Sequence, residues 1–367
     1  MSVDYAALRL KARGDAVRLE EILQMECREK AASKLPALLS EYPEFLFPSL
    51  ASAEMATGEE AAEIHVALAG EGNSVLDMTC GLGIDAFAMS RSGKTVTACE
   101  IDAHTAETVR QNAATLSLKD FTVVNADSVA WLENSGKHFD IIFIDPARRD
   151  TSGRHYRLAD CHPDVLTLMP SLTSHGSRVI IKASPMTNPS ELAAIPHDTH
   201  IIGTRHECKE VVLVIGDGVK GETYCHTMGH DSFRYDDFTS PPTGNPVPGD
   251  FLYCPYPAIM KAGGNVNVEG ITKIDRFSHL YFSPDIFDFP GERRRIVDIV
   301  PFDRQSVKSF ARRYPAINVS VRNFPVKAPE LAKRLKIKEG GDLILYGTTF
   351  ADGRKMMIIT ETNSFAK

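Results

Sequence analysis

The stretch Val75-Leu76-Asp77-Met78-Thr79-Cys80-Gly81-Leu82-Gly83-Ile84-Asp85 decides the fold of this 367-residue chain. Residues 74–78 are short and apolar, with β-branched Val75 near the start, which is typical of a buried strand. Gly81 and Gly83 provide a turn without side-chain bulk, and residues 84–89 predict the helix that follows. A strand, a glycine turn and a helix in this order predict a cradle for a nucleotide-like ligand.

The acid within this stretch indicates a cationic ligand. A dinucleotide-binding turn has a third glycine for close packing of helix on strand, and the residue at that position here is Ala86. Asp77 would repel a pyrophosphate, whereas it suits the sulfonium and ammonium groups of S-adenosylmethionine (SAM). A purely structural turn would also explain the glycine pair.

Three later strands also end in polar residues at their carboxyl ends. We predict these strands at residues 94–99, 121–125 and 139–144. Glu100 follows Gly83 by 17 residues, where a carboxylate can accept hydrogen bonds from both ribose hydroxyls. Asp127 is placed to reach an adenine amino group, and Asp145-Pro146 ends the fourth strand. Open α/β sheets bind their ligands at this edge, so these residues predict one site.

Residues 73 to about 216 resemble the Rossmann-like (class I) SAM-dependent methyltransferases, with the opening stretch as the cofactor motif and Asp145-Pro146 as the active-site tip. The C-terminal part and residues 53–57 resemble a bacterial methyltransferase family whose C-terminal domain is called THUMP-like, after an RNA-binding module of tRNA-modifying enzymes. The resemblance implies SAM as the cofactor. The predicted cofactor-binding residues are Asp77, Thr79, Cys80, Gly81, Gly83, Asp85, Glu100, Ile101, Asp127 and Asp145.

The predicted fold is α/β, with a seven-stranded Rossmann-like methyltransferase sheet that ends in an antiparallel hairpin. An N-terminal helical region and C-terminal α+β domains of ferredoxin-like and THUMP-like type flank this sheet. A change in composition after residue 216, leading to the Pro- and Gly-rich residues 240–249, marks a boundary. The predicted domains are residues 1–70 (helical), 71–217 (SAM-binding), 218–290 (small α+β) and 291–367 (basic, THUMP-like).

Composition predicts a cytoplasmic protein without a membrane or metal partner. The apolar content of 43% and charged content of 24% are ordinary for globular proteins. No run approaches about 18 apolar residues, and the N-terminus lacks a signal-peptide pattern. The seven cysteines include no Cys-x-x-Cys pair, which argues against a disulfide framework and against zinc ribbons.

The charge of the chain is unevenly distributed. Residues 289–340 hold 13 Lys and Arg against 5 Asp and Glu, a net charge of +8, while the whole chain carries −7. The remainder therefore carries −15. This asymmetry favours an RNA partner, tRNA or rRNA, held by its phosphates, although a merely solvated basic face would show the same counts. The candidate phosphate contacts are Arg293, Arg294, Arg295, Arg312, Arg313, Lys333, Arg334 and Lys336.

Asp145 and Pro146 are the predicted catalytic residues. A carboxylate and a rigid carbonyl at this tip can bind both N–H groups of an exocyclic amine while its lone pair turns toward the sulfonium. The tip resembles the Asp/Asn-Pro-Pro-aromatic motif of amine methyltransferases and departs from it at Ala147 and Arg148.

Arg148 and Arg149 are the predicted substrate-binding residues, either by stacking a guanidinium plane on a base or by holding a phosphate. The alternative is that they pair with Asp150 or Asp160. Methylation of a pyrimidine ring carbon would need a cysteine nucleophile, and neither the Asp145 tip nor residues 182–185 contain one.

These observations together predict a SAM-dependent methyltransferase that acts on a nitrogen of a base in RNA. Two alternatives remain open at this point. The first is a small-molecule or protein methyltransferase, and the second is an RNA-binding protein that holds SAM without turnover. The sequence does not give the oligomeric state.

Overall fold

The computed structural model describes residues 3–147, 149–150, 153–154, 157–236, 241–266 and 268–362. Within this part of the chain the helices are α1 Tyr5–Lys11, α2 Ala16–Ala31, α3 Pro36–Glu41, α4 Leu50–Met55, α5 Glu59–Ala69, α6 Ile84–Arg91, α7 Ala103–Thr115, α8 Ser128–Ser135, α9 Val165–His175, α10 Pro257–Ala262, α11 Arg304–Arg313 and α12 Ala328–Leu335. Short 3-10 helices occupy Leu158–Asp160 and Pro189–Leu192.

The first nine strands are β1 Ser74–Asp77, β2 Thr95–Glu100, β3 Phe121–Asn125, β4 Phe139–Ile144, β5 Arg149–Asp150, β6 Gly153–Arg154, β7 Gly176–Ala183, β8 His197–Gly203 and β9 Cys208–Gly216. The remaining strands are β10 Thr223–Thr227, β11 Phe233–Tyr235, β12 Phe251–Pro255, β13 Thr272–Lys273, β14 Tyr281–Ser283, β15 Gly291–Pro301, β16 Asn318–Arg322, β17 Leu343–Thr349 and β18 Lys355–Glu361.

The first sheet has the strand order β11-β10-β8-β9-β7-β4-β1-β2-β3. Strands β7, β4, β1, β2 and β3 are parallel, and β9 joins β7 in the antiparallel sense. This is the predicted Rossmann-like α/β core, but the predicted hairpin strands β8 and β9 do not form its edge, because β10 and β11 lie beyond them. The prediction of seven strands is wrong in number, because the described residues place nine in this sheet. The two additional strands, β10 and β11, pair with each other and lie beyond the predicted boundary at residue 217.

Three helices of the core are preceded by aspartates that cap them. Asp102, Asp127 and Asp164 each accept backbone N–H groups of the helix that follows, which satisfies donors that have no partner within the helix. Strand β4, in the interior of the sheet, is apolar and buried at every residue except Asp140, as expected for a parallel strand. The carboxyl ends of β1, β2, β3 and β4 therefore meet at one edge.

The chain divides into two compact units. The first comprises residues 1–200 and 210–222, and the second comprises residues 201–209 and 223–367. In the first unit, helices α1 to α5 precede β1. Phe45 and Phe47 are fully buried there and pack edge to face at 5.4 Å.

The second unit contains a seven-stranded sheet in the order β13-β14-β12-β15-β18-β17-β16. The long strand β15 pairs with β12 on one side and β18 on the other, so residues 251–290 and residues 291–362 contribute to one sheet. They also share a core, in which Leu252 and Phe282 pack with Ile296, Tyr346 and Ile358. Helices α11 and α12 cover a second apolar cluster through Phe310, Leu331 and Leu335.

Candidate active site

A pocket of about 1450 Å³ opens at the carboxyl ends of β1 to β4. Its wall comes from the glycine turn after β1, the ends of β2 and β3, the tip after β4, and residues 184–186 after β7. Residues 51, 52 and 54–57, in α4 and directly after it, form another side. Every predicted cofactor-binding residue lines this pocket, so the structure brings the whole predicted set together.

The glycine turn has the backbone that its sequence predicts. Gly81 and Gly83 adopt φ values of +53° and +89°, which residues with a Cβ rarely adopt. A Cβ on Gly83 would also lie 2.8 Å from the Phe87 ring. The turn is pinned by the Cys80 amide, which donates to the Cys99 carbonyl at 3.0 Å. Gly81 and Gly83 therefore bring backbone without a side chain to the wall of the pocket.

Glu100 is fixed at the end of β2 by two backbone amides. Its carboxylate accepts the Gly81 N–H at 3.0 Å and the Asp102 N–H at 2.8 Å. A carboxylate oriented in this way keeps lone pairs for further donors, such as a pair of vicinal hydroxyls. The chemistry of this residue thus fits the ribose of SAM.

Asp127 and Ile101 line the same part of the pocket. The carboxylate of Asp127 accepts the N–H groups of Val129 and Ala130 at 2.9 and 3.0 Å. Ile101 is 71% exposed, and Met55 and Met186, which also line the pocket, are exposed to 68% and 67%. Exposed apolar side chains around a concave site are the surface that a flat heteroaromatic ring would cover.

Asp145 at the tip of β4 is held at two points. Its backbone N–H donates to the Thr79 hydroxyl at 2.7 Å, and its Oδ2 lies 2.8 Å from the Lys182 ammonium. Beyond Pro146, the backbone of Ala147 pairs with His162 in both directions, at 2.7 and 3.0 Å. Hydrogen bonds and an ion pair therefore hold the Asp145-Pro146 tip in place at the pocket.

Asp77 lies on the floor of the pocket and is almost completely buried. Its Oδ1 accepts the Thr79 N–H at 2.9 Å. Burial is the main reason that the pKa of Asp77 is raised to about 8, and the Asp85 and Asp145 carboxylates also raise it. The Thr79 amide and the Lys182 ammonium lower this pKa, but by less. Without a ligand, this carboxyl group holds a proton near neutral pH, and a bound cation would favour its ionised form.

A buried ionic cluster lies next to Asp145. The Lys182 Nζ donates to the Thr57 hydroxyl at 2.8 Å and lies 3.7 Å from Glu210 Oε2 and 4.0 Å from Asp85 Oδ2. His65, with no exposed surface, sits between the two carboxylates, with Nδ1 at 2.7 Å from Asp85 and Nε2 at 2.9 Å from Glu210. We call Thr57, His65, Asp85, Lys182 and Glu210 the ionic cluster.

Mutual attraction keeps the cluster charged despite its burial. Burial lowers the pKa of His65, but Asp85 and Glu210 outweigh it and raise this pKa to about 9. Burial likewise lowers the pKa of Lys182, and the Asp145, Glu210 and Asp85 carboxylates more than offset it. Burial raises the pKa of Asp85 and of Glu210, and the His65 and Lys182 cations bring both below their usual values.

Sequence reasoning missed His65, Lys182 and Glu210, and it assigned no role to Thr57. Asp85 was predicted to bind the cofactor, and the structure adds that its carboxylate accepts a hydrogen bond from Thr57 at 2.6 Å and pairs with His65. A usable signal was present, since Lys182 follows the apolar run Val179-Ile180-Ile181 and Glu210 precedes residues 211–215. Charges in such buried strands need partners.

Of the predicted arginines Arg148, Arg149 and Arg294, the structure describes the side chain of Arg294 alone. Arg148 and the side chain of Arg149 lie outside the described residues. Arg294 is buried, and its guanidinium donates to Glu292 at 2.7 Å and to the carbonyl of Thr362. The prediction that Arg294 contacts phosphate is wrong, because this arginine ties β15 to the end of β18.

Comparison with known sequences finds three family models in the chain. They are "Conserved hypothetical protein 95" over residues 60–154, a ferredoxin-like domain over residues 251–290 and "THUMP domain-like" over residues 291–362. Two Mycobacterium tuberculosis proteins named as uncharacterized SAM-dependent methyltransferases, from strains CDC 1551 and H37Rv, are each 23% identical over 346 residues. The match covers 89% of this chain and 91% of theirs.

A solved structure matches over nearly the whole length. The crystal structure of a candidate methyltransferase from Porphyromonas gingivalis W83 superposes with a TM-score of 0.82 at 26% identity, and the match covers 97% of this chain and 96% of the other. The protein is a SAM-dependent methyltransferase, and SAM is its methyl donor. Residues 291–362, which match the THUMP-like model, form the C-terminal domain of this methyltransferase.

In the ranges given above, no group of three or more His, Cys, Asp or Glu side chains is arranged to hold a metal ion. Likewise, none of the helices that the structure describes is both long and apolar enough to pass through a bilayer.

Proposed function

We propose that this enzyme methylates a nitrogen of a base in RNA, with Asp145 and Pro146 as the residues that receive the acceptor. The observation that carries the proposal is the Asp145-Pro146 tip, which lines the pocket and is fixed at both the amide and the carboxylate of Asp145. Hydrogen-bond acceptors at such a tip suit an amine, because an amine presents N–H donors.

The remaining pocket residues bind different parts of the cofactor. Asp77 pairs with the cationic methionine end, Glu100 accepts the ribose hydroxyls, and Ile101 and Asp127 contact the adenine. The glycine turn lets Thr79, Cys80, Gly81 and Gly83 approach closely, and Asp85 closes the floor beside Asp77. SAM supplies a sulfonium-activated methyl group, whose transfer breaks the carbon–sulfur bond and leaves a neutral thioether.

The protein contributes alignment and proton transfer. Asp145 accepts an N–H of the amine, so that the nitrogen lone pair can turn toward the methyl carbon, and holding reactants in line can be worth about 7–11 kcal/mol. Once nitrogen has four bonds it loses one proton, and the Asp145 carboxylate is the group that receives it. Met55 and Met186, which line the pocket, would help to exclude water from the reacting groups once bound ligands cover them.

Support for RNA comes from the charge of the THUMP-like domain. Arg304, Lys308 and Arg312 are exposed and lie four residues apart along α11, so they share one face of this helix. The opposite face of α11 buries Phe310. We call these three residues the α11 basic face. A row of cations at this spacing suits the phosphate backbone of a nucleic acid.

The test uses methyl-labelled SAM with total RNA from cells that lack the gene. The RNA is digested after the reaction, and the labelled nucleoside is identified by mass spectrometry, with the Asp145→Ala variant in parallel. We expect label in one N-methylated nucleoside and its loss in the variant. Label in a small molecule or protein, with none in RNA, would contradict the proposal. Label in a C-methylated or ribose-methylated nucleoside would contradict its choice of atom.

A further inference from the structure

We propose that Lys182 is a positioning residue, which sets the orientation of the Asp145 carboxylate for the acceptor and is itself held by the rest of the ionic cluster. This inference rests on the proposed function, since it assumes that Asp145 receives the acceptor. It extends the site to His65, Lys182 and Glu210, which are not among the described residues that line the pocket.

Distances single out Asp145 as the main partner of Lys182. The ammonium is 2.8 Å from Asp145 Oδ2, against 3.7 Å for Glu210 and 4.0 Å for Asp85. The Lys182 side chain is only 5% exposed, while that of Asp145 is 25% exposed. The pair therefore joins a buried cation to the most exposed of its three carboxylate partners.

The cluster is a costly way to stabilise a fold. Burying an ion carries a penalty of several kcal/mol, and a buried ion pair is often no more stabilising than apolar residues of similar size. The cluster nevertheless holds His65 and Lys182 together with Asp85 and Glu210, all almost fully buried. A positioning role for Lys182 explains why the cluster places a cation next to Asp145.

The remaining members of the cluster fix the Lys182 side chain. The Thr57 hydroxyl accepts a hydrogen bond from the Lys182 ammonium at 2.8 Å and donates one to Asp85 at 2.6 Å. Glu210, which is not among the described residues that line the pocket, attracts the ammonium from another strand. Because Lys182 also lies on rigid strand β7, the Asp145 carboxylate is held against a nearly immobile cation.

This arrangement removes freedom from Asp145 before the acceptor arrives. The Thr79 hydroxyl fixes its backbone at 2.7 Å, and Lys182 fixes its carboxylate. A carboxylate misplaced by about 1 Å can cost about 100-fold in rate. Removal of the cation should therefore lower kcat and leave SAM binding nearly unchanged.

The first experiment needs no acceptor. Crystal structures of the wild type and of Lys182→Met, both with SAM, are compared at residue 145. We expect the Asp145 carboxylate to leave its wild-type position in the variant. An unchanged carboxylate would overturn the inference even if the RNA substrate proposed above were wrong, so the two proposals fail separately.

The second experiment is a double-mutant cycle on methyl transfer from labelled SAM to the RNA pool. Lys182→Met should lower kcat at least 30-fold, with the Kd for SAM and the KM for RNA within about threefold of wild type. If Lys182 acts through Asp145, Lys182→Met should cost almost nothing in the Asp145→Asn background. Equal losses in both backgrounds would overturn the inference.

A matched control and a second variant complete the design. Lys94 is another buried lysine of the first unit, whose ammonium donates to the carbonyls of Gly70 and Gly72, and Lys94→Met should leave kcat unchanged. If Lys182→Met does not fold, the cycle is repeated with Glu210→Gln. A loss of kcat that vanishes in the Asp145→Asn background supports the inference, and a loss that persists there overturns it.

Discussion

At the scale of single residues, Asp77 shows that the pKa of an acid depends on where the fold places it. In the sequence it is an acid that favours a cation over a pyrophosphate. In the structure it is a buried acid whose pKa burial raises to about 8, while Asp85, eight residues later, is held ionised by His65 and Lys182. The pKa values of two aspartates in one pocket are thus shifted in opposite directions, because among the described residues only Asp85 has cationic neighbours within ion-pair distance.

The first prediction concerns SAM binding and pH. If ionised Asp77 pairs with the cationic end of SAM, binding must expel the proton that Asp77 holds below pH 8. The Kd for SAM should therefore fall up to about tenfold per pH unit between pH 6 and 8 and level off above that range. Calorimetry across this range measures it. In Asp77→Asn this dependence should vanish, and a wild-type Kd that is flat with pH would contradict the assignment.

The second prediction concerns His65 and stability. The folded-state pKa of about 9 lies above the unfolded value of 6.5, so the stabilisation from protonated His65 is fully present below pH 6.5 and is lost as pH rises through 9. The stability advantage of wild type over His65→Gln should shrink across this window by roughly 3 kcal/mol. Denaturant unfolding at several pH values measures it.

A control for this prediction is His138→Gln, since His138 is exposed. Its difference from wild type should stay within about 0.5 kcal/mol at every pH, as is usual for surface substitutions. An advantage of wild type over His65→Gln that does not change with pH would show that His65 is not charged in the folded state.

At the scale of elements, α11 has an apolar face that packs in the core and a basic face on the other side of the helix. Val307, Phe310 and Tyr314 pack on the sheet of the second unit, and the α11 basic face points to solvent. The helix begins at Arg304 and is capped by Asp303, whose carboxylate accepts the Ser306 N–H at 2.8 Å. Charge reversal on the outer face should therefore leave the packing of α11 intact.

The third prediction follows from this separation. Reversal of all three cations of the α11 basic face to glutamate should weaken RNA binding and reduce the slope of log affinity against log salt by about 2 to 3, since each phosphate contact contributes about 0.7 to 0.9. Binding of labelled tRNA at several salt concentrations measures both quantities. The matched control reverses three exposed cations of the first unit: Lys11, Arg13 and Lys119. Equal loss in both variants would contradict a specific role for α11.

At the scale of the whole molecule, the segments matched as ferredoxin-like and THUMP-like share one sheet. Strand β12 of the first segment pairs with β15 of the second over residues 251–255 and 291–295. Their apolar side chains also form a common cluster. Neither segment completes its core from its own residues.

The fourth prediction tests this interdependence. A chain that ends after residue 290 exposes the β12 edge and half of the shared core, so we expect aggregation and loss of a cooperative unfolding transition for residues 223–290. Limited proteolysis and differential scanning calorimetry, with the full-length chain as control, measure it. A truncated chain that keeps protease-resistant residues 251–290 would contradict the shared core.

The sequence by itself determined the α/β core, the parallel strands, the glycine turn and the polar residues at the strand ends. These features follow from local periodicity, from the conformational freedom of glycine and from the rule that parallel strands end at one edge. Only the tertiary structure decided which charges meet in the interior and that Arg294 is buried. His65, Lys182 and Glu210 are far apart in the chain, and their pKa values and roles depend on a few ångströms of separation that no sequence spacing encodes.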